Sequence, residues 1–200
     1  MHADEFLNED KIHIMVDIET TGVEAGSGIW QIGAVVMDEC LHTQPHTFLM
    51  TVNPVLVLAA DSKYTSSVDT LLWQLQKNSD NWAFALEQSP VEGSSWGFTP
   101  TKSMLVNLCD WLMGFNYAEI ELYSRGSFDF QLLRAAFAIE GLTCPWKYYQ
   151  ENDQRTLSKW TSYNRETASP SHNALDDAIQ QAKVIMHLLE TLKQYKANAV

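Results

Sequence analysis

Residues 12–18, 28–37 and 46–52 read as three strands in immediate succession, and that succession constrains the fold more than any other feature of the chain. The second run is "GIWQIGAVVM" and the third "HTFLMTV". Short connections predict an antiparallel meander. After it the period changes. "SSVDTLLWQLQK" places Val68, Leu71, Leu72 and Leu75 at helical spacing behind a serine cap, and "TKSMLVNLCDWLMGF" is amphipathic. "SPVEGSSWGFTP" between them is a loop by its Gly, Ser and Pro content. "AEIELYS" is a short strand, and "FDFQLLRAAFAIEG" a helix stopped by Gly141. A loop with Pro145 leads to a short helix at 153–163, "TASPSHN" is a polar loop, and a long helix runs from about Ala174 to Lys196. Three strands followed by helices and at least one further strand predict an α/β domain with a central mixed sheet, antiparallel at its first three strands and flanked by helices. No internal repeat or long linker interrupts the 200 residues, so one domain spanning 1–200 is expected.

The first strand carries an oddity. In "IMVDIETTG", residues 14–22, apolar residues lead into Asp17 and Glu19, which share a face because side chains alternate along a strand. Two like charges at that separation repel unless a cation lies between them. A strand ending in solvent, with both acids hydrated, is the alternative.

Two further acids open helices: Asp129 in "RGSFDFQLL", and Asp177 in "SHNALDDAIQQAKVI". Capping of free N–H groups explains either one alone. Periodicity separates the neighbours Asp176 and Asp177. Leu175, Ala178, Ile179, Ala182, Met186 and Leu189 form an apolar stripe; Asp176 leads into Gln180, Lys183 and His187, whereas Asp177 leads into Val184 and Leu188. Asp177 is therefore expected against the protein body, with His172 in the loop before it.

Composition narrows the function. A formal net charge of -12 argues against coating long duplex DNA. Of the thirteen Lys and Arg residues, ten lie from Lys102 onward, Arg125, Arg134, Arg155, Lys159 and Arg165 among them, which leaves room for a local basic rim. Cys40, Cys109 and Cys144 are scattered, with no CxxC pair, and read as reduced thiols. No segment reaches the roughly 18 uninterrupted apolar residues of a membrane helix, and "MHADEFLNEDK" lacks the regions of a signal peptide, so a cytoplasmic protein with no membrane partner is expected.

Taken in order, "DIETTG", "SFD" with its Leu-rich helix, and "HNALDD" as His-x-Ala-x-x-Asp resemble the three motifs of the DEDDh family of 3'-5' exonucleases, in the RNase H-like superfamily. The resemblance runs from about residue 12 to residue 190. It is closest to the phage exonuclease A type and related 3'-5' exoribonucleases, on "RGSFDF", the Trp-containing helix "SVDTLLWQLQ" and "ENDQRTL". One departure is visible: relatives place an extra residue between Arg-Gly and Phe-Asp, or an Asn four before the aspartate, where this chain has Arg125.

The resemblance implies that Asp17, Glu19, Asp129 and Asp177 hold two divalent cations, with Asp17 touching both and His172 acting as general base. Four gathered carboxylates need such neutralisation, which ions about 3.5–4 Å apart provide. Hard oxygen donors suit Mg²⁺ or Mn²⁺. The expected reaction releases nucleoside 5'-monophosphates from the 3' end of single-stranded DNA or RNA. Substrate contacts are expected from Thr20, Thr21 and Gly22, which would seat the terminal nucleotide, although a simple turn explains them equally. Phe128 either stacks on a base or joins the core. Trp73 either lines the groove leading to the site or anchors its helix. Arg125 is a candidate substrate contact and Arg155 a candidate phosphate contact, with a surface ion pair as the alternative for Arg155. Two other functions compete: a non-catalytic nucleic-acid-binding module on the same fold, and a nuclease that trims short oligonucleotides.

Overall fold

A computed structural model describes residues 11–37, 46–59, 63–88, 99–116, 119–161 and 171–198. Cys40, Arg165, most of "SPVEGSSWGFTP", residues 162–163 of the expected short helix and the "TASP" part of the polar loop lie outside those residues. The elements in chain order are β1 (Ile12–Thr20), β2 (Ile29–Val36), β3 (Thr47–Thr51), α1 (Pro54–Val57), α2 (Val68–Lys77), α3 (Ser79–Leu86), α4 (Pro100–Leu112), β4 (Ile120–Ser124), α5 (Phe128–Ile139), β5 (Glu151–Asp153), α6 (Gln154–Trp160) and α7 (Ala174–Asn198). A single 3-10 turn, Tyr148–Gln150, precedes β5.

The five strands form one sheet in the order β3-β2-β1-β4-β5. β1, β2 and β3 are antiparallel neighbours, whereas β4 runs parallel to β1 and β5 parallel to β4. This is the mixed sheet that the sequence predicts.

Alternation along the strands sorts the core into two layers. Ile14, Val16 and Ile18 of β1, with Ile32, Ala34 and Val36 of β2, turn to one face, where Met104, Leu105 and Leu108 of α4 and Leu133, Ala136 and Phe137 of α5 cover them. Met15, Val35 and Tyr123 turn to the other, against Leu157 of α6 and Ala178, Ala182, Ile185 and Leu188 of α7. All eight residues of β2 are buried, because this strand has helices on both faces. Asp17 and Glu19 belong to the α7 face.

Some elements depart from expectation. α1 and α3 lie where no helix is expected, and β5 occupies 151–153, so that α6 starts at 154. "END" carries no β-branched or apolar signal; it joins the sheet through pairing with Leu122, Tyr123 and Ser124. α2 keeps only Leu71 of its expected apolar stripe against the core. Val68, Leu72, Trp73 and Leu75 are exposed, and its single buried residue is Gln74. The buried side of α7 is rotated from the expected stripe as well, running through Ala174, Asp177, Ala178, Gln181, Ala182, Ile185 and Leu188, with Leu175, Ile179, Met186 and Leu189 only half-buried. Among the described residues, no helix is long and apolar enough to cross a membrane.

Candidate active site

The site is built where β1 ends and α7 begins. Across the β1–β2 ladder Asp17 faces Gly33 and Glu19 faces Gln31, so these four residues share the α7 side of the sheet. An irregularity in register follows between Glu19 and Thr20. Gly33 lets the helix come down onto the strand: a Cβ there would lie 2.3 Å from both Ala174 C and Leu175 N. Gln31, fully buried, fastens it. Its Oε1 accepts the N–H of Ala174 at 2.8 Å, one of the helix-terminal donors without an intrahelical partner, and its Nε2 donates to Thr51 Oγ1 at 2.9 Å. Asn173 Oδ1 accepts the next N–H groups, from Leu175 and Asp176.

One turn into α7, Asp177 is buried while Asp176 is exposed. The Asp177 carboxylate folds the preceding loop back on itself. Oδ1 accepts from the Ser171 N–H at 2.8 Å and the Ser171 hydroxyl at 3.0 Å, and Oδ2 accepts the His172 N–H at 3.1 Å. His172 has φ 58°, in the left-handed region that few non-glycine residues occupy. Its imidazole meets the Trp73 ring edge-to-face, with centroids 4.6 Å apart. Glu19, His172 and Asp177 each present a ligand atom, and those atoms lie within 4.8 Å of one another.

The other two acids are electrostatically close. Asp17 accepts from Gln181 Nε2 at 2.8 Å, and Glu19 from Gln74 Nε2 at 3.0 Å. Burial, then the neighbouring Asp129, push the Asp17 carboxyl well above the ordinary range; Gln181 opposes the shift, and Glu19 and Asp177 add to it. Burial pushes Glu19 up to about 8, against the hydrogen bond from Gln74 and with help from Asp177 and Asp129. Asp129, in the first turn of α5, is raised to about 7, mainly by burial, despite its own backbone N–H, the Ser124 hydroxyl and the Arg155 guanidinium. Carboxylates gathered under desolvation and mutual repulsion, with hard oxygens as donors, form a set that could hold divalent metal ions.

The candidate substrate contacts divide. Thr20 and Thr21 are buried, and their hydroxyls are used within the turn: Thr20 Oγ1 donates to Gly22 O at 2.7 Å, and Thr21 Oγ1 bonds to Gly28 and Thr65. A Cβ on Gly22 would lie 2.5 Å from Ser27 Oγ, so this glycine serves the turn's own packing. Phe128, 37% exposed at the start of α5, is not a core residue. Trp73 is exposed and touches His172. Arg125 is half-buried; Arg155 is exposed, close to Gly126, and its charge acts on Asp129.

Sequence reasoning missed Gln31, Gly33, Gln74, Asn78, Asn81 and Gln181. A glutamine and a glycine inside the apolar run "GIWQIGAVVM" mark a close backbone approach. Gln74 interrupts "LLWQLQ" in the same way, but nothing local reveals its partner.

A family model described as the 3'-5' exoribonuclease Rv2179c-like domain matches residues 12–189. No curated protein matches the sequence. Among solved structures, the nuclease domain of 3'hExo, a DEDDh family member bound to rAMP, superposes with a TM-score of 0.59 at 15% identity, covering 92% of this chain and 94% of that one. A 3'-exonuclease in a structure of 3'-end recognition of histone mRNA stem-loop gives 0.55 at 13%, covering 90% and 82%. Cell-death related nuclease 4 gives 0.56 at 10%, covering 90% of this chain and 64% of its own. At these identities the structural likeness establishes the RNase H-like fold.

Proposed function

The chain belongs to the 3'-5' exoribonuclease Rv2179c-like family of DEDDh exonucleases, and from that premise we propose that it removes nucleoside 5'-monophosphates from the 3' end of single-stranded RNA or DNA. One observation carries the assignment of residues: buried Glu19, Asp129 and Asp177 and half-buried Asp17 are brought from β1, α5 and α7 to one place, with a ligand atom of His172 within 4.8 Å of those of Glu19 and Asp177. Asp17, Glu19, Asp129 and Asp177 would hold two divalent cations, Mg²⁺ or Mn²⁺. When bound, these supply positive charge at the scissile phosphate and make water more acidic.

The chain's own residues do the rest. A ring nitrogen of His172 takes the proton of the attacking water as its oxygen bonds to phosphorus, and the bond from phosphorus to the 3' oxygen of the preceding nucleotide breaks. That oxygen leaves as a hydroxyl after protonation from solvent. The turn at Thr20, Thr21 and Gly22 receives the terminal nucleotide through its backbone, since its hydroxyls are already bonded. Phe128 and Trp73 offer faces for stacking, and Arg125 and Arg155 offer charge to phosphates. We read residues 1–200 as one domain, because the sheet draws its strands from Ile12 to Asp153 and α7 closes it.

The test is degradation of matched 5'-labelled RNA and DNA oligomers with Mn²⁺. A ladder shortening from the 3' end is expected, and Asp17→Ala should abolish it. If neither polymer is shortened, and Asp17→Ala behaves as the parent does, the reading fails. The net charge of -12 favours short oligomers over long ones, because few phosphate contacts are then needed.

A further inference from the structure

Beside the Trp73 ring, α2, α3 and the residue between them turn polar side chains toward the site. Gln74 is 2% exposed and Asn78 4% exposed, while the neighbouring Leu72 and Leu75 face outward and Trp73, partly exposed, sets its ring edge-to-face on the His172 imidazole. The buried amides form a continuous chain. Gln74 Nε2 donates to Glu19 Oε2 at 3.0 Å and to Thr20 O at 3.4 Å. Gln74 Oε1 accepts from Asn78 Nδ2 at 2.8 Å, and the same Nδ2 donates to the His172 carbonyl at 3.0 Å. Asn81 Nδ2 donates to that carbonyl at 3.0 Å as well, and to Asn78 Oδ1 at 2.9 Å.

The His172 peptide is thus held from both sides, its N–H by Asp177 of α7 and its carbonyl by α3 and the residue ahead of it. A non-glycine residue at φ 58° is retained where its surroundings over-determine it. An ordinary structural role for Asn78 is available and is not used. It stands at the N-cap of α3, where an asparagine side chain commonly accepts a helix N–H, yet it makes no such bond. Its amide goes to Gln74 and His172 instead.

We propose that Asn78 and Asn81 are positioning residues for the nuclease reaction, clamping the His172 carbonyl so that the imidazole is aligned beside the acids. The proposal rests on the reading of His172 as general base. Gln74 registers the clamp to Glu19, so the histidine and the acid cluster are set by one hydrogen-bond chain. Misalignment by about 1 Å costs up to about 10²-fold in rate.

The test uses Asn78→Ala and Asn81→Ala in the full chain, with a short RNA oligomer and Mn²⁺. Loss of the clamp should lower kcat by about 10–100-fold, leave KM and calorimetric Mn²⁺ affinity near parent values, and speed amide hydrogen exchange in residues 171–175. Asn81→Gln, which keeps a donor, should retain most of the parent kcat. Should Asn78→Ala fail to fold, the half-buried Asn81→Ala decides the matter through a smaller loss with the same signature. Parent-like kcat and exchange in the folded variants would overturn the proposal, as would a kcat loss matched by lost Mn²⁺ affinity. His172→Ala separates the two readings: parent-like activity there removes the general base, while the exchange data still report on the clamp.

Discussion

Glu19 and Asp129 are carboxylic acids that the fold makes reluctant to ionise. Their ordinary values are 4.5 and 3.8, and in the folded chain they rise to about 8 and about 7. Between those values the native state keeps protons that the unfolded state has released, so native stability falls as pH rises. Metal-free protein should therefore show its melting temperature declining from about pH 5 to pH 8. Mn²⁺ should raise the melting temperature most at the upper end of that window, where the acids can ionise toward the ions at least cost. Melting curves in EDTA and in Mn²⁺ across the range check both parts. A metal-free melting temperature that is flat or rising over the window contradicts the shifts. Asp17, Glu19 and Asp177 were legible because each stands where a local rule would place something else, two acids on one strand face and one on the apolar side of its helix, whereas Asp129 and His172, each with an ordinary local explanation, were legible only through the order of the three motifs. Gln181 was not legible, since a glutamine on a helix is unremarkable until the Asp17 carboxylate is found beside it.

At the scale of elements, the contact between β2 and the start of α7 decides the site. Gly33 lies opposite Asp17 and under Ala174, so a methyl group there meets helix backbone that cannot rotate away. Gly33→Ala should destabilise the protein by about 1–3 kcal/mol, the usual cost of overpacking, and weaken Mn²⁺ binding by displacing Asp177. Chemical denaturation with calorimetric Mn²⁺ titration reads both; parent-like values for stability and metal affinity would show that the helix can shift freely. The strands and longer helices were readable from their periods. α2 shows the limit of that reading. Its apolar spacing marks a helix correctly but places only Leu71 on the inward side, because two buried amides, bonded to Glu19 and His172, hold that side in and leave Val68, Leu72 and Leu75 exposed. β5 was unreadable for a related reason, its three polar residues being strand only by pairing with β4.

Over the whole molecule, thirteen basic residues against twenty-five acidic ones limit how a polyanion is held. Arg134 is further committed to Glu151, at 2.6 Å. A substrate gripped chiefly at its 3' end by metal and by one or two arginines should bind with a shallow salt dependence. With roughly 0.7 counterions released per contacted phosphate, the slope of log affinity against log salt should be smaller in magnitude than about 2. Fluorescence anisotropy of a catalytically dead variant with a labelled oligomer measures it, and a steep slope would reveal a long basic track. The sequence by itself determined the mixed sheet, the order of the three acidic motifs and the choice of Asp177 over Asp176, because periodicity and chemical type are properties of neighbouring residues. Only the tertiary structure decided what supports those acids: Gln31 and Gly33 beneath α7, and Gln74, Asn78 and Asn81 behind the histidine. Hydrogen bonds and close approaches join residues as far as 164 positions apart, as Asp17 and Gln181 are, and no local pattern encodes a partner at that distance.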